Sequence, residues 1–241
     1  KRYYWSCIDS RYRRRRLYKV SRSRMKIAIV IPAYNESKTI AKVIRDVKYA
    51  GTVIVVDDAS TDLTGDIALK AKALVVSHKI NSGYDAAIQS GFEKAVELEM
   101  DVVITFDADG QHRSTVLAEF VHSFESSDVD LVLGARFRSA RFSEFIFNIY
   151  GKIRFGTGDL LCGLKGYRLS STYHRYGAFN TYNSIGTELA LFCLRKHLFK
   201  TVVSVPIDSR LGKPRLGSVV KSNILIMRSL IFAIWADIRG L

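Results

Sequence analysis

The segment Asp107-Ala108-Asp109-Gly110-Gln111-His112 follows directly on an apolar run at residues 102–106. Two carboxylates separated by a single residue at the mouth of a strand form a compact oxygen-ligand set for a hard divalent ion, Mg2+ or Mn2+, which keeps coordination positions open for phosphate oxygens. Alone, such a match is more often a strand-end turn. Two more polar segments follow apolar runs in the same way, Pro32-Ala33-Tyr34-Asn35-Glu36 and Asp57-Asp58-Ala59-Ser60-Thr61-Asp62. Helix caps and Asx turns explain part of them. They do not easily explain Asp107 and Asp109 together, because the carboxylates of Glu36, Asp57, Asp58, Asp62, Asp107 and Asp109 would repel one another at one edge unless a cation or a hydrogen-bonding ligand offsets them.

Elements must bring these segments to one edge, and the chain supplies them. From Met25 to about Gly134 an apolar strand, a polar loop and an amphipathic helix recur. Strand cores are expected at 27–31, 53–56, 73–76 and 102–106, with helices near 37–49, 62–72 and 84–99. A further helix near 116–124 and a fifth strand at 131–133 are expected after them. The alternation predicts an α/β fold, a single mostly parallel sheet flanked by helices on both faces. Parallel strands share a direction, so all three polar segments project from one edge, where ligands of such sheets bind.

The chain has 241 residues, 48% hydrophobic and 25% charged, enough to bury a core without staples. Its net charge of +14 is uneven: residues 1–24 hold ten basic side chains and one acid, so this arm alone carries +9. It reads as an appended arm ahead of a natural start at Met25. The alternative is a polybasic segment that meets anionic lipid or nucleic acid. Cys7, Cys162 and Cys193 are odd in number and widely spaced, which fits neither a disulfide framework nor a zinc pattern and points to a reducing cytosol. The five histidines are scattered singly. No secretion signal is read in the arm, and no apolar run approaches the roughly 18 residues that cross a bilayer.

The series Ile31-Pro32-Ala33-Tyr34-Asn35-Glu36, Val56-Asp57-Asp58-Ala59-Ser60-Thr61-Asp62, Asn81-Ser82-Gly83 with Ala86-Ala87, and Asp107-Ala108-Asp109-Gly110-Gln111-His112 resembles family 2 glycosyltransferases of the GT-A fold. It continues through Gly134-Ala135-Arg136-Phe137, Asp159-Leu160-Leu161-Cys162-Gly163 with Gly166-Tyr167-Arg168, Val205-Pro206-Ile207, and Arg210-Leu211-Gly212-Lys213-Pro214-Arg215-Leu216. In that order the motifs are similar to the polyprenyl-phosphate branch typified by dolichol-phosphate mannose synthase, over roughly residues 25–220.

The resemblance implies that Pro32, Tyr34, Glu36 and Asp58 hold the base and ribose of a nucleotide-sugar, UDP favoured over GDP. Asp107 would lie near the ribose and sugar, and Asp109 and Gln111 would complete a Mg2+ or Mn2+ site at the pyrophosphate. Arg136, Cys162, Arg210, Lys213 and Arg215 would meet the acceptor phosphate, where guanidinium matches phosphate bidentately and Lys adds a compact charge. Asp107, Asp109, Asp159 and Arg136 make up the catalytic set. A phosphate acceptor, with its second pKa near about 6, needs no general base. A sugar hydroxyl would need one, with Asp159 or Glu188 as candidates. Three departures from the family stand out: Asp85 replaces a usual Gly, Cys162 a frequent Ser, and Gly158 an Arg found in some relatives.

Two helical stripes bear on membranes: Phe142, Phe145, Ile146, Ile149, Tyr150 and Ile153, and Ile224, Met227, Ile231, Ile234, Trp235 and Ile238. Such stripes more often face a core, yet Phe, Ile and Trp beside basic residues also suit an interfacial helix. The reading is an arm at 1–24, a GT-A domain at 25–220 with a nucleotide-sugar half (25–134) and an acceptor half (135–220), and an amphipathic C-terminal helix at 221–241. Its expected activity is inverting transfer of a hexose or N-acetylhexosamine from a nucleotide-sugar to polyprenyl phosphate, peripherally on the cytoplasmic face of a membrane, by a chain that could form a homo-oligomer. The alternatives are transfer to a saccharide hydroxyl in polysaccharide or glycolipid assembly and, in another class, nucleic-acid binding through the arm; no nucleic-acid partner is expected under the main reading.

Overall fold

A computed structural model of the chain describes residues 25–137, 141–179, 184, 186–206 and 219–240. The basic arm and the segment carrying Arg210, Lys213 and Arg215 lie outside the described residues.

Seven strands form one sheet in the order β3-β2-β1-β4-β6-β5-β7. The first four are β1 (Ile27–Ala33), β2 (Thr52–Asp57), β3 (Leu74–Ser77) and β4 (Val102–Thr105), with α1 (Ile40–Val47), α2 (Thr64–Lys70) and α3 (Tyr84–Glu97) between them. All four run parallel. After α4 (Leu117–Ser126) come β5 (Leu131–Arg136), α5 (Phe142–Phe155), β6 (Lys165–Arg168), α6 (Tyr173–Tyr176), α7 (Glu188–Arg195), β7 (Lys200–Val205) and α8 (Val219–Arg239). β6 is antiparallel to both β4 and β5, whereas β7 is parallel to β5. The expectation of one mostly parallel sheet flanked by helices is met, and the sheet is continuous across both proposed halves.

Both faces of the sheet are covered, which is why its central strands read as unbroken apolar runs rather than alternating ones. Ile27, Ile29 and Ile31 of β1 face a core shared with Ile40, Val43, Ile44 and Val47 of α1 and Phe120 and Phe124 of α4. Ala28 and Val30 face the other core, with Ile88 and Phe92 of α3, Phe147 of α5 and Ile226, Leu230 and Ala233 of α8. Pro32 fits a central strand because it lies beyond the reach of β4. Phe106 N–H donates to Val30 O on that side, and Asp58 N–H donates to Ala33 O on the β2 side, so the ladder loses no donor it needs.

The first two helices begin at Ile40 and Thr64, later than the expected 37 and 62, because oxygens of the preceding loops take up the N–H groups ahead of them. Asp62 accepts from Thr64 N–H at 2.9 Å ahead of α2, and Thr39 and Ile40 N–H both donate to Glu36 O at 3.0 Å ahead of α1.

The two stripes form helices, but their apolar side chains turn mainly outward. In α5 the buried residues are Ser143, Glu144, Phe147 and Gly151, while Phe142, Phe145, Ile149 and Ile153 are exposed. Ile224, Ile231, Ile234, Trp235 and Ile238 of α8 are exposed as well. The helices lie side by side in the same direction, since Ser143 donates to Asn223 Oδ1 at 2.5 Å and Tyr150 to Asp237 Oδ2 at 2.9 Å. Among the described residues no helix is long and apolar enough to cross a membrane.

Candidate active site

The strand order reverses between β2 and β4 about β1, and the crevice at such a switch point is where open α/β sheets bind ligands. The ends of β1, β2 and β4 meet there. Asn35, in the left-handed region at φ 54°, donates its N–H to Ser60 Oγ at 3.0 Å and accepts Thr61 N–H at its Oδ1 at 2.8 Å, tying the first loop to the second. Glu36 is buried, with its N–H on Thr64 Oγ1 at 2.8 Å and its carboxylate accepting from Thr39 Oγ1 at 3.1 Å. Pro32 is buried in β1 and Tyr34 is exposed beside it. Burial works to raise the Asp62 carboxyl, but hydrogen bonds from Thr64 and Ser37 outweigh it and hold the group below its ordinary value.

Asp58 organises a third loop. Its buried carboxylate accepts the N–H groups of Ser82 and Gly83, each at 2.8 Å. The same Oδ1 lies 2.7 Å from His78 Nδ1, and His78 Nε2 is 2.9 Å from Ser90 Oγ. Asn81-Ser82-Gly83 is therefore held over β2 by Asp58. His78, one of the scattered histidines, is its partner, which its isolation in sequence did not signal.

At the end of β4, Asp107 Oδ2 is 3.2 Å from His112 Nε2. Asp109 is buried, and its Oδ1 accepts Gln111 N–H at 3.0 Å across Gly110, whose φ of +73° closes the turn. This turn presents a carboxylate and a side-chain amide together. Among the described residues no cluster of three or more His, Cys, Asp and Glu side chains is arranged to hold a metal. A pair of oxygen donors nevertheless fits an ion such as Mg2+, which is commonly held by one or two carboxylates and completes its shell with phosphate oxygens and water.

Across the crevice, β5 and the turn before β6 build a buried ion-pair network. Asp159, itself in the left-handed region at φ 43°, accepts from Arg136 N–H at 2.7 Å, Nε at 2.8 Å and Nη2 at 2.7 Å. Glu144 of α5 stands 3.5 Å from Arg136 Nη2 and 2.8 Å from Arg141 Nη1. Burial works against the Arg136 charge, but Asp159 and then Glu144 hold the guanidinium protonated beyond its ordinary range. Glu144 is a site-wall residue that the sequence analysis did not single out.

Cys162 is fully buried. Burial, reinforced by Asp159, pushes its thiol up to about 12 against the opposing charges of Arg136 and Lys165. Gly163 adjoins Asp107 so closely that a Cβ there would stand 2.2 Å from Oδ2. Glu188 is buried at the start of α7, accepting from Tyr176 OH at 2.6 Å. Asp85 is buried in the first turn of α3, where it accepts Gly186 N–H at 2.5 Å and so ties α3 to the segment before α7. The structure thus gathers Pro32, Tyr34, Glu36, Asp58, Asp107, Asp109 and Gln111 at the carboxyl edge of the sheet. Arg136, Asp159 and Cys162 lie on the adjoining β5–β6 side. Lys165, unassigned by the sequence analysis, also lies there, and its signal was a single charge inside Leu164-Lys165-Gly166-Tyr167.

An open α/β sheet interrupted by one antiparallel strand, with an Asp-x-Asp loop at its switch point, is the GT-A architecture of nucleotide-sugar transferases. The family model for glycosyl transferase family 2 matches residues 28–200, and the chain belongs to that family. It is similar to the undecaprenyl-phosphate mannosyltransferase of Micrococcus luteus, 26% identical over 241 residues that cover 90% of this chain and 98% of that protein. It is also similar to the UDP-N-acetylglucosamine–dolichyl-phosphate N-acetylglucosaminyltransferase of Methanococcus voltae, 31% identical over 134 residues, 48% of this chain and 53% of that one. The chain spans about half the length of that relative and of the Methanocaldococcus jannaschii protein MJ1222 that it matches. Among solved structures, the glucosyl-3-phosphoglycerate synthase of Mycobacterium tuberculosis, crystallised with Mn2+, UDP and glucosyl-3-phosphoglycerate, superposes with a TM-score of 0.67 at 19% identity, covering 87% of this chain and 80% of that one. That likeness is one of fold.

Proposed function

We propose that this chain catalyses metal-dependent, inverting transfer of a hexose or N-acetylhexosamine from a nucleotide-sugar, UDP-linked in preference to GDP-linked, to a polyprenyl phosphate at the cytoplasmic face of a membrane. The observation that carries the reading is the meeting of the Asp107–Asp109 loop with the Arg136–Asp159 pair across one crevice. A diphosphate leaving group and a phosphate nucleophile need such a pairing of acidic, metal-capable and cationic walls. Names of relatives from two polyprenyl-phosphate activities support the acceptor.

Placement of the described residues supports the following roles. Pro32, Tyr34, Glu36 and the Asp58-anchored loop form the wall for base and ribose. Asp109 and Gln111 would hold the divalent ion, which when bound offsets charge on the departing diphosphate. Asp107, backed by His112 and Gly163, faces the sugar, where developing positive charge is stabilised by a fixed carboxylate. Arg136, aligned by Asp159 and Glu144, offers its remaining donor edge to the acceptor phosphate, with Arg210, Lys213 and Arg215 supplying further charge and Cys162 lying in the turn below. The acceptor is ionised near neutrality, so no general base is required.

Access to a lipid acceptor is peripheral, through the exposed faces of α5 and α8. Basic groups sit among the apolar ones: the guanidinium of Arg239 lies 4.9 Å from the Trp235 ring and that of Arg228 lies 5.7 Å from the Phe232 ring. Such a face suits an anionic leaflet.

Incubating the chain with a panel of labelled nucleotide-sugars, Mn2+ and either a short-chain polyprenyl phosphate or saccharide acceptors tests the reading. Labelled glycosyl phospholipid that disappears in chelator is the expected product. Label that enters only saccharides would replace the acceptor assignment.

A further inference from the structure

Lys165 opens β6 opposite Thr105 of β4 and Leu133 of β5, and it is buried to 2% exposure. A buried ammonium is costly unless a defined partner receives it. Its Nζ donates to Cys162 O at 2.6 Å. The next carbonyl of the same turn, Gly163 O, accepts from Thr105 Oγ1 at 2.6 Å. Thr105 is buried too, and its Oγ1 also accepts Lys165 N–H at 3.2 Å. Two successive carbonyls of the turn are thus held from beneath by two side chains of the sheet. Asp159, at one end of that turn, clamps Arg136, while Gly163, at the other, abuts the Asp107 carboxylate. Burial lowers the pKa of the Lys165 ammonium, opposed by Cys162, Asp159 and Asp107, which favour its charge.

We propose that Lys165, together with Thr105, is a positioning residue for sugar transfer: the two side chains pin the 159–163 turn and so fix the Arg136–Asp159 clamp relative to Asp107. The proposal rests on the roles given above to Asp107 and Asp159. Shifts of about 1 Å in such a constellation can cost roughly 10²-fold in rate, and Gly163 leaves Asp107 little room for one.

Lys165→Met keeps the aliphatic stem and removes both pin and charge, whereas Thr105→Val removes a pin and no charge. Both variants are expected to lower kcat by roughly 10- to 100-fold with little change in the donor KM. Each should also speed amide hydrogen exchange in the peptide spanning 159–164, and the double variant should fall short of the product of the single effects, as coupled residues do. Rates are taken per folded molecule, from circular dichroism and donor binding. Loss confined to Lys165→Met would assign the effect to charge and overturn pinning, as would faster exchange without a change in kcat or the reverse. If Lys165→Met fails to fold, Thr105→Val decides alone: a wild-type kcat refutes the proposal. A wild-type chain that transfers no sugar would instead refute the functional reading, and exchange would still report whether the turn is pinned.

Discussion

Replacing Asp159 with Asn changes one oxygen to an amide in the most heavily bonded ion pair of the crevice. Asn tolerates the left-handed backbone that Asp159 occupies at φ 43°, so backbone strain contributes little. The side chains of the pair are 15% and 6% exposed for Arg136 and Asp159. Asn with its oxygen in place of Oδ2 still accepts from Arg136 N–H and Nε, but its amide then meets Nη2 donor to donor. Breaking one side of a buried pair costs about 3–5 kcal/mol because the remaining charge is left uncompensated. Glu144, 3.5 Å from the same Nη2, retains part of the compensation, which places the loss near the lower end, at about 3 kcal/mol. For a chain of this size that lowers Tm by about 6 to 12 °C. Guanidinium denaturation and thermal melts measure it. Adding Arg136→Met should recover stability, since a pair replaced by packed apolar groups is often close to neutral. A single variant within about 1 kcal/mol of wild type, well below the range for a broken buried pair, or a double variant worse than the single, would refute the claim that an orphaned guanidinium is the cause.

Asp109→Ala should abolish transfer while leaving the fold intact, because a loop carboxylate adds little to the core and its turn hydrogen bond to Gln111 N–H is worth about 1 kcal/mol; transfer that survives in this variant and in chelator would exclude the metal. Arg210→Ala and Lys213→Ala should raise the KM for polyprenyl phosphate far more than that for the donor, and equal effects would reassign them to the donor pyrophosphate. Phe145→Ser with Trp235→Ser should reduce sedimentation with anionic vesicles and slow transfer to long-chain but not short-chain acceptors. Both side chains are about half exposed, at 53% and 46%, so a large fall in Tm or a changed oligomeric state would show that they pack against protein instead. The Cys162 thiol, raised to about 12, should resist alkylation at pH 8 until the chain unfolds, as peptide mapping would report. Since the unfolded thiol releases its proton first, the stability it contributes is present below its ordinary value of 9.0 and lost as pH rises toward 12; Cys162→Ala should flatten that alkaline decline, and an unchanged decline would assign it to other groups.

The β1–β5 half was legible because its signals are local. Apolar runs such as 27–31 and 102–106 alternate with helical periods, and parallel strands necessarily deliver Glu36, Asp58 and Asp107 to one edge. The direction in which a helical stripe faces was not legible. Periodicity marks a face of α5 but not what covers it, and Glu144 lies inside because Arg136 and Arg141 neutralise it there, leaving Phe142, Phe145 and Ile153 outside. Nor could spacing pair Asp159 with Arg136, 23 residues away, or place Lys165 under the turn that adjoins Asp107. Those contacts depend on β6 entering antiparallel between β4 and β5, a non-local pairing that only the assembled sheet decides. Sequence alone therefore determined the family, the succession of strands and helices up to β5 and the acidic edge. Tertiary structure decided which charges meet across it, because a buried charge is stable only beside a partner that the rest of the fold brings to it.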